Sequence, residues 1–325
     1  MTAAEILAEF PKLSALVVGD ICLDRWCTYD PALSEASRET GIPRVGVVRT
    51  EVTAGAGGTV ANNLVALGLG RIAVLGVAGD DGHGYELARA LDWQHISSEM
   101  LIRTPGIQTF TYTKLINSIT NMEDLPRADF ISTIPLDSRI ENRILDLLPK
   151  AVDTSDVILV SDQAETSAGG VVTPAVRDRL AELAQIHPDK VFWVDSRARM
   201  ELFGQIVVKG NRDEAAAACR ATGSPDLQAL REYCRAKLLI VTEGSEGARI
   251  LQSGNEYFCK TKPIPKPVDI CGAGDAFSAG AATALAVTGS PIEAVQFGNL
   301  VASITIMKPG TGTASPAEVL EAAAR

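Results

Sequence analysis

The sequence predicts an α/β fold, with a central, mostly parallel sheet flanked by helices on both faces and a small β-sheet lid. Three observations carry this. Short apolar runs recur and end in Gly, Ser, Asp or Thr; helical patterns lie between them; two segments instead alternate polar and apolar residues. Contiguous β-branched runs mark strands buried on both faces, as parallel sheets require, whereas alternation marks a sheet with one wet face.

The opening MTAAEILAEFPKL reads as a short acidic amphipathic helix, without the basic start or long apolar stretch of a signal peptide. ALVVG (15–19) is the first strand, and GDICLD (19–24) places Asp20 and Asp24 at its carboxyl end. Residues 31–53 carry the first alternating pattern, RVGVVRTEV. The glycine-rich TAGAGGTVANNLVALG (53–68) opens a helix over 59–67; the strand RIAVLGV (71–77) and a helix over 83–92 follow. Residues 107–131 hold the second alternating pattern, QTFTYTKLI, and with 31–53 predict the lid.

Next come a helix over 138–149, the strand DVILVS (156–161), a helix over 174–186, and the strands KVFWVD (190–195) and QIVVKG (205–210). A helix over 226–236 precedes the strand KLLIVTEG (237–244). The helix that follows Gly272-Ala273-Gly274 starts at about Asp275 and runs to about Thr288 with an alanine-rich face. No repeat or linker interrupts the chain, so 1–325 reads as one domain with a lid from about 31–53 and 107–131.

Composition narrows the function classes. The chain has 325 residues, 46% of them hydrophobic, enough for a sizeable core. Thirty basic residues against forty acidic ones give a net charge of −10, which disfavours a nonspecific nucleic-acid binder. The six cysteines form no CxxC pair and the three histidines stand far apart, so no zinc site is expected and the thiols suit a reducing cytoplasm. No apolar run is long enough to span a membrane. The expectation is a cytoplasmic protein.

Glycines just before a helix let an anion approach its unsatisfied N–H groups and partial positive charge, so Gly272–Asp275 can cradle a phosphate without a cationic side chain. A carboxylate at the same point, Asp275, adds a base beside that anion. The plainer reading makes Asp275 a helix cap and the glycines a turn. The P-loop pattern G-x-x-x-x-G-K-[ST] is missing, and no G-x-G-x-x-G follows the first strand, which counts against a nicotinamide oxidoreductase. The loop at 53–68 suits close approach to a polyhydroxy ligand, or only a turn and cap; Asp24 suits paired hydrogen bonds to neighbouring hydroxyls, or only a solvated loop.

In order and spacing these motifs resemble the ribokinase-like, pfkB carbohydrate kinase family along essentially the whole chain. VDICGAGDAFSAG resembles its C-terminal signature D-T-x-G-A-G-D-x-F-x-x-G, TAGAGGTVANN its N-terminal glycine signature, NRDE its N-x-x-E motif, and VTEGSEGA its T-x-G-x-x-G. The resemblance implies an ATP-dependent sugar kinase using Mg²⁺. Asp275 would be the base, and the N–H groups of Gly272, Ala273, Gly274 and Asp275 the anion hole. Asn211 and Glu214 would help hold Mg²⁺ through water; Thr242, Gly244 and Gly247 would line the nucleotide side, with Asn299 near the adenine. Asp24, Gly55, Gly57 and Thr59 would meet the sugar. K⁺ near Asp269 and a homodimer through the lid are also implied.

Within the family, VVGDICLDRW, SRETGIP, GVAGDDGHG, VDSRAR and KPGTGTASPAEV look closest to the heptose 7-phosphate kinase subgroup. No nucleotidyltransferase segment follows Arg325, so the kinase portion alone is expected. Ala54 stands where the signature has its first glycine and Thr59 where it has an asparagine. The subgroup's D-Y-x-K-G place reads SDQAETSAGGVVTP (161–174), without Tyr or Lys, and these departures are expected to retune the acceptor. Arg103, Lys114 and Arg127 are candidate contacts for a substrate phosphate. A kinase for a hexose or pentose, or a binding protein of the same fold with impaired catalysis, are the alternatives.

Overall fold

The computed structural model describes every residue except Glu165, Ser167, Ala168, Pro265 and Arg325. Three residues of the divergent 161–174 stretch therefore lie outside the described residues. In chain order the elements begin with α1 (Ala3–Glu9), β1 (Ser14–Gly19), β2 (Ile21–Tyr29), β3 (Val47–Ala56), α2 (Gly57–Ala66) and β4 (Arg71–Gly79). There follow α3 (Gly82–Trp93), β5 (Ser97–Thr104), β6 (Thr111–Asn117), β7 (Ala128–Phe130), α4 (Ser138–Asp153), β8 (Val157–Asp162) and α5 (Pro174–Ile186). Then come β9 (Val191–Ser196), β10 (Val207–Asn211), α6 (Arg212–Thr222), α7 (Leu227–Cys234), β11 (Leu238–Thr242) and β12 (Gly247–Gln252). The chain closes with β13 (Asn255–Lys260), α8 (Ala273–Thr288), α9 (Pro291–Thr305) and α10 (Pro316–Ala323).

The main sheet has nine strands in the order β13-β12-β11-β10-β9-β8-β1-β4-β5. From β11 to β5 every neighbour is parallel; only β12 and β13 run antiparallel at the edge. Two cores explain the uninterrupted apolar runs. In β1, Ala15 and Val17 pack into the core beneath α1, α2, α8 and α9, while Leu16 and Val18 enter the core beneath α4, α5, α6 and α7. A strand covered on both sides has no position left for water, so its sequence shows no period of two. Among the described residues no helix is long and apolar enough to cross a membrane.

β1 has β4 on one side and β8 on the other, so the chain winds outward in both directions from it. In an open parallel sheet, ligands collect at the carboxyl edge near such a switch point. The small residues of α8 also find their cause here. The helix lies between the sheet and α9, and side chains built at Gly280 or Gly298 would strike Val301 at 2.9 Å or Ala281 at 2.8 Å.

The second sheet has four strands, β3-β2-β6-β7, one more stretch than the alternation predicted. GDICLD (19–24), expected only to end the first strand, instead leads into β2 (Ile21–Tyr29), the longest interior strand of this sheet. β1 stops at Gly19, where a side chain would overlap the Ser161 carbonyl, and the chain turns at Asp20 directly into β2. Residues 31–46 contribute only an isolated bridge, Ala36 to Pro43. β2 escaped notice because ICLDRWCTY is apolar at one end and alternating at the other: its start is buried in the body and its remainder joins the lid.

Candidate functional site

Two adjoining cavities open at the carboxyl edge of the main sheet. One, about 570 Å³, lies between the start of α8 and the small sheet and is lined by Asp24, Trp26, Tyr112, Lys114 and Thr59 along with Gly272–Asp275. The other, about 440 Å³, is bounded by Thr242, Gly244, Gly247 and Asn299, with Ile264, Ile306 and Phe277 supplying apolar walls. Ala273, Gly274, Lys209 and Asn211 belong to both. A group passing between the cavities must cross the N-terminus of α8.

That helix is capped by Gly272, not by Asp275. Gly272 has φ +77°, a left-handed conformation suited to glycine, and a side chain there would press on Thr59 and Thr311 at 3.3 Å. Asp275 therefore falls in the first turn, facing the cleft. Its carboxyl is pushed up to about 8, first by burial and then by Asp195, against the pull of Lys209. The turn is braced from behind by Asp269, whose two oxygens accept the N–H groups of Cys271 (2.9 Å) and Gly310 (3.1 Å). The Ala273 N–H is already given to the Ile270 carbonyl at 3.2 Å, which reduces the predicted four-donor anion hole by one donor in this conformation.

On the opposite wall, β2 carries Asp24. Burial raises its carboxyl to about 6, while Lys114 and Arg127 pull it down. Gly55 lies across the strand pair, where any side chain would meet the Asp24 carboxylate at 2.5 Å. Gly55 thus clears space for Asp24 and does not itself line the cavity. Gly57 is further from its predicted role: it is buried at the start of α2, against Ile21 and the Asp20 carbonyl. The cavity is lined instead by Ala56, at φ +50°, and by the nearly buried Thr59.

Asn211 and Glu214 form a capping box on α6. Asn211 Oδ1 accepts the N–H groups of Asp213 and Glu214 at 2.9 Å, and Glu214 Oε2 accepts the Asn211 N–H at 2.6 Å. Both also border the cleft. Arg103 does not: it pairs with Asp80 at 3.1 Å, away from the cavity lining.

The sequence reading missed the group at the junction. Lys209 on β10 sits in register with Asp195 on β9, and its Nζ lies 2.6 Å from Asp195 Oδ2, with both side chains nearly buried. Ser278 of α8 donates to the same oxygen at 3.2 Å. A side chain built at Gly274 would meet Lys209 Nζ at 3.0 Å, so the ammonium lies against the helix tip. Burial alone would lower the Lys209 pKa, but the adjacent Asp195 outweighs it and the net shift is upward. The signal was present: a lysine inside the buried run QIVVKG, and an aspartate closing KVFWVD.

Among the described residues no cluster of three or more His, Cys, Asp or Glu side chains is arranged to grip a metal. The donors at hand, Glu214 and Asn211, suit a hard cation carried mainly by phosphate oxygens and water.

A model of the family described as pfkB family carbohydrate kinase matches residues 14–318. The bifunctional protein HldE of Trichlorobacter lovleyi is 32% identical over 324 residues, covering 95% of this chain and 62% of that protein. HldE of a Caulobacter species is 30% identical over 334 residues, covering 98% and 64%. The chain thus spans less than two thirds of these relatives. Among solved structures, a Thermotoga maritima ribokinase superposes with TM-score 0.70 at 19% identity, covering 96% of this chain and 100% of that one. Arabidopsis thaliana ribokinase complexed with ribose and ATP gives 0.68 at 18%, with 96% and 98% covered. Escherichia coli phosphofructokinase-2 in complex with potassium gives 0.70 at 18%, again 96% and 98%.

Proposed function

The chain belongs to the pfkB family of carbohydrate kinases, phosphotransferases with a sugar hydroxyl as acceptor, and from that premise we propose the roles of its residues and the class of its acceptor. ATP fills the apolar-walled cavity beside Thr242, Gly244, Gly247 and Asn299, with its γ-phosphoryl at the tip of α8. The acceptor occupies the cleft between Asp24 and Asp275. The observation that carries this reading is the shared border: Gly274, Ala273 and Lys209 wall both cavities, so a phosphoryl group crossing there meets the helix N-terminus and a buried ammonium together.

Asp275 takes the proton of the attacking hydroxyl, and Gly274 and Asp275 N–H groups face the charge that develops on the transferring phosphoryl. Lys209 adds a fixed positive charge that Asp195 and Ser278 hold in place. Asp24 accepts hydrogen bonds from acceptor hydroxyls and fixes which one reaches Asp275. Mg²⁺ would be held through water by Asn211 and Glu214 and would supply charge neutralisation on the phosphates. A monovalent cation at Asp269 would add one more contact to a carboxylate already binding two amides. The check is activity in potassium against tetramethylammonium chloride, with kcat lower in the latter.

We place the acceptor among sugar phosphates resembling heptose 7-phosphate, supported by the HldE relatives and retuned by Thr59 and the 161–174 stretch. A coupled ADP-release screen over pentoses, hexoses, heptoses and their phosphates tests this. Phosphorylated acceptors should give the highest kcat/KM, with heptose 7-phosphate itself turned over more slowly than the best acceptor. ATP consumption independent of every sugar would defeat the reading. The small sheet serves as lid and dimer contact in this proposal: both faces of residues 47–52 are exposed, including Val47, Val48 and Val52.

A further inference from the structure

We propose that Glu243 is a positioning residue for the nucleotide: its carboxylate ties the loop over 242–247 to the first turn of α6 and so fixes two parts of the nucleotide cavity against each other. The inference rests on the kinase reading above and deepens it, because Glu243 holds the cavity in shape without being one of its lining residues.

Topology creates the need. β10 and β11 are parallel neighbours, and Asn211 opposite Thr242 is the last pair of their ladder. Beyond it the strands part: β10 runs into α6, whereas β11 enters a single 3-10 turn (Gly244–Glu246) before the chain reverses into β12. Asn211 on one side and Thr242, Gly244 and Gly247 on the other line the nucleotide cavity, so its shape depends on how these diverging segments are held. The loop is closed on itself. The Glu243 N–H donates to the Gly247 carbonyl at 2.8 Å, and the Glu246 N–H to the Glu243 carbonyl at 3.2 Å. That closure sets the form of the loop but not its place relative to α6.

The side chain of Glu243 supplies the place. It is only 5% exposed, and both its oxygens are taken: Oε2 accepts from Arg212 at 2.8 Å and Oε1 from Arg249 Nε at 2.5 Å. Arg212 directly follows Asn211 in the first turn of α6, and Arg249 stands on β12 opposite Val241. One carboxylate therefore joins three segments of the chain. Burial by itself would raise the Glu243 pKa, but the hydrogen bonds from Arg212 and Arg249 outweigh it and the net shift is downward. Arg212 also pairs with Glu246 at 3.1 Å, and Arg249 with Glu256 at 2.5 Å. Two guanidiniums shared among three carboxylates leave no surplus positive charge for a phosphate. The cluster thus acts on the nucleotide by placement and not by contact.

The test is calorimetric titration of ATP, with Mg²⁺ and no acceptor, into the wild type, Glu243→Gln, Arg212→Gln and the double variant, with steady-state kinetics alongside. Glu243→Gln should weaken ATP binding by about 10-fold, since a hydrogen bond to a charged group is worth a factor of ten or more. Glu243→Asp, which keeps the charge, should recover part of that loss. The KM for ATP should rise in step, while the acceptor KM and the kcat at saturating ATP stay within about threefold, as expected when only binding is lost. Arg212 is 57% exposed, so Arg212→Gln leaves the fold intact. It should weaken ATP binding about threefold, the scale of a partly exposed ion pair. The double variant should be no worse than Glu243→Gln alone, because both changes remove one link. ATP binding at the wild-type level in Glu243→Gln overturns the tie, as does a fall in kcat with the ATP KM unchanged, the signature of fewer folded molecules. Fully additive losses in the double variant also overturn it, since they make Glu243 and Arg212 independent. If wild-type protein binds no ATP, the kinase reading falls and the tie with it.

Discussion

Asp275→Asn should bind ATP as the wild type does yet lose about 10²- to 10⁴-fold in kcat, the usual contribution of a positioned general base. Its stability should change in the opposite direction. The Asp275 carboxyl titrates at about 8 in the folded chain against an ordinary 3.8, because burial and Asp195 disfavour its ionised form. A group whose folded pKa is raised binds a proton that the unfolded chain has released, so stability falls as pH climbs between the two values. Asparagine carries no such proton. The variant's advantage in Tm should therefore be absent at pH 3.8 and below, grow toward pH 8, and then level, reaching on the order of 2 °C or more.

The same group should govern the wild-type rate. In free enzyme kcat/KM should rise with pH through about 8, as Asp275 loses its proton, and the variant's residual activity should lack that limb. Steady-state kinetics and thermal melts across this range decide it. Turnover near the wild-type level in Asp275→Asn would remove Asp275 as the base, and a Tm gain independent of pH would contradict the strained carboxylate.

Lys209→Met should lower kcat/KM by about 10²- to 10³-fold, comparable to deleting one fixed donor to a developing charge. It should also destabilise the fold by about 3–5 kcal/mol, because Asp195 would be left buried without its counter-ion. These two effects separate in the double variant Lys209→Met with Asp195→Asn. Removing both charges relieves the unpaired carboxylate, so stability should largely return, while the rate should not. If the double variant regains turnover, Lys209 serves only to neutralise Asp195 and takes no part in the transfer. Nucleotide binding measured alongside by calorimetry tells a lost phosphate contact from a misfolded site.

The local patterns that the chain displays were sufficient for six strands of the main sheet, β1, β4, β8, β9, β10 and β11, and for most of its helices, but not for β5, β12 and β13 or for α6, α9 and α10. A run such as ALVVG is buried on both faces, and burial is written directly into its composition. The GAGD turn was equally legible, since the left-handed Gly272 and the helix behind it leave a signature in adjacent residues. The small sheet was only half legible, because β2 changes surroundings midway along its length. Gly55 and Gly57 look alike in sequence, yet one makes room for Asp24 and the other packs against Ile21. Glycine records that space is needed and not what fills it.

What the sequence determined by itself was the fold class, the glycine turn with the helix behind it and the carboxylate in that helix's first turn, since each depends on residues close together along the chain. What only the tertiary structure decided was the company these groups keep. Lys209 and Asp195 are cross-strand neighbours, Ser278 joins them from another helix, and Lys114 and Arg127 approach Asp24 across the small sheet. Such pairs are set by strand order and register, long-range quantities that no local periodicity encodes. The pKa values, charge balance and shared cavity wall arise only once those strands lie side by side.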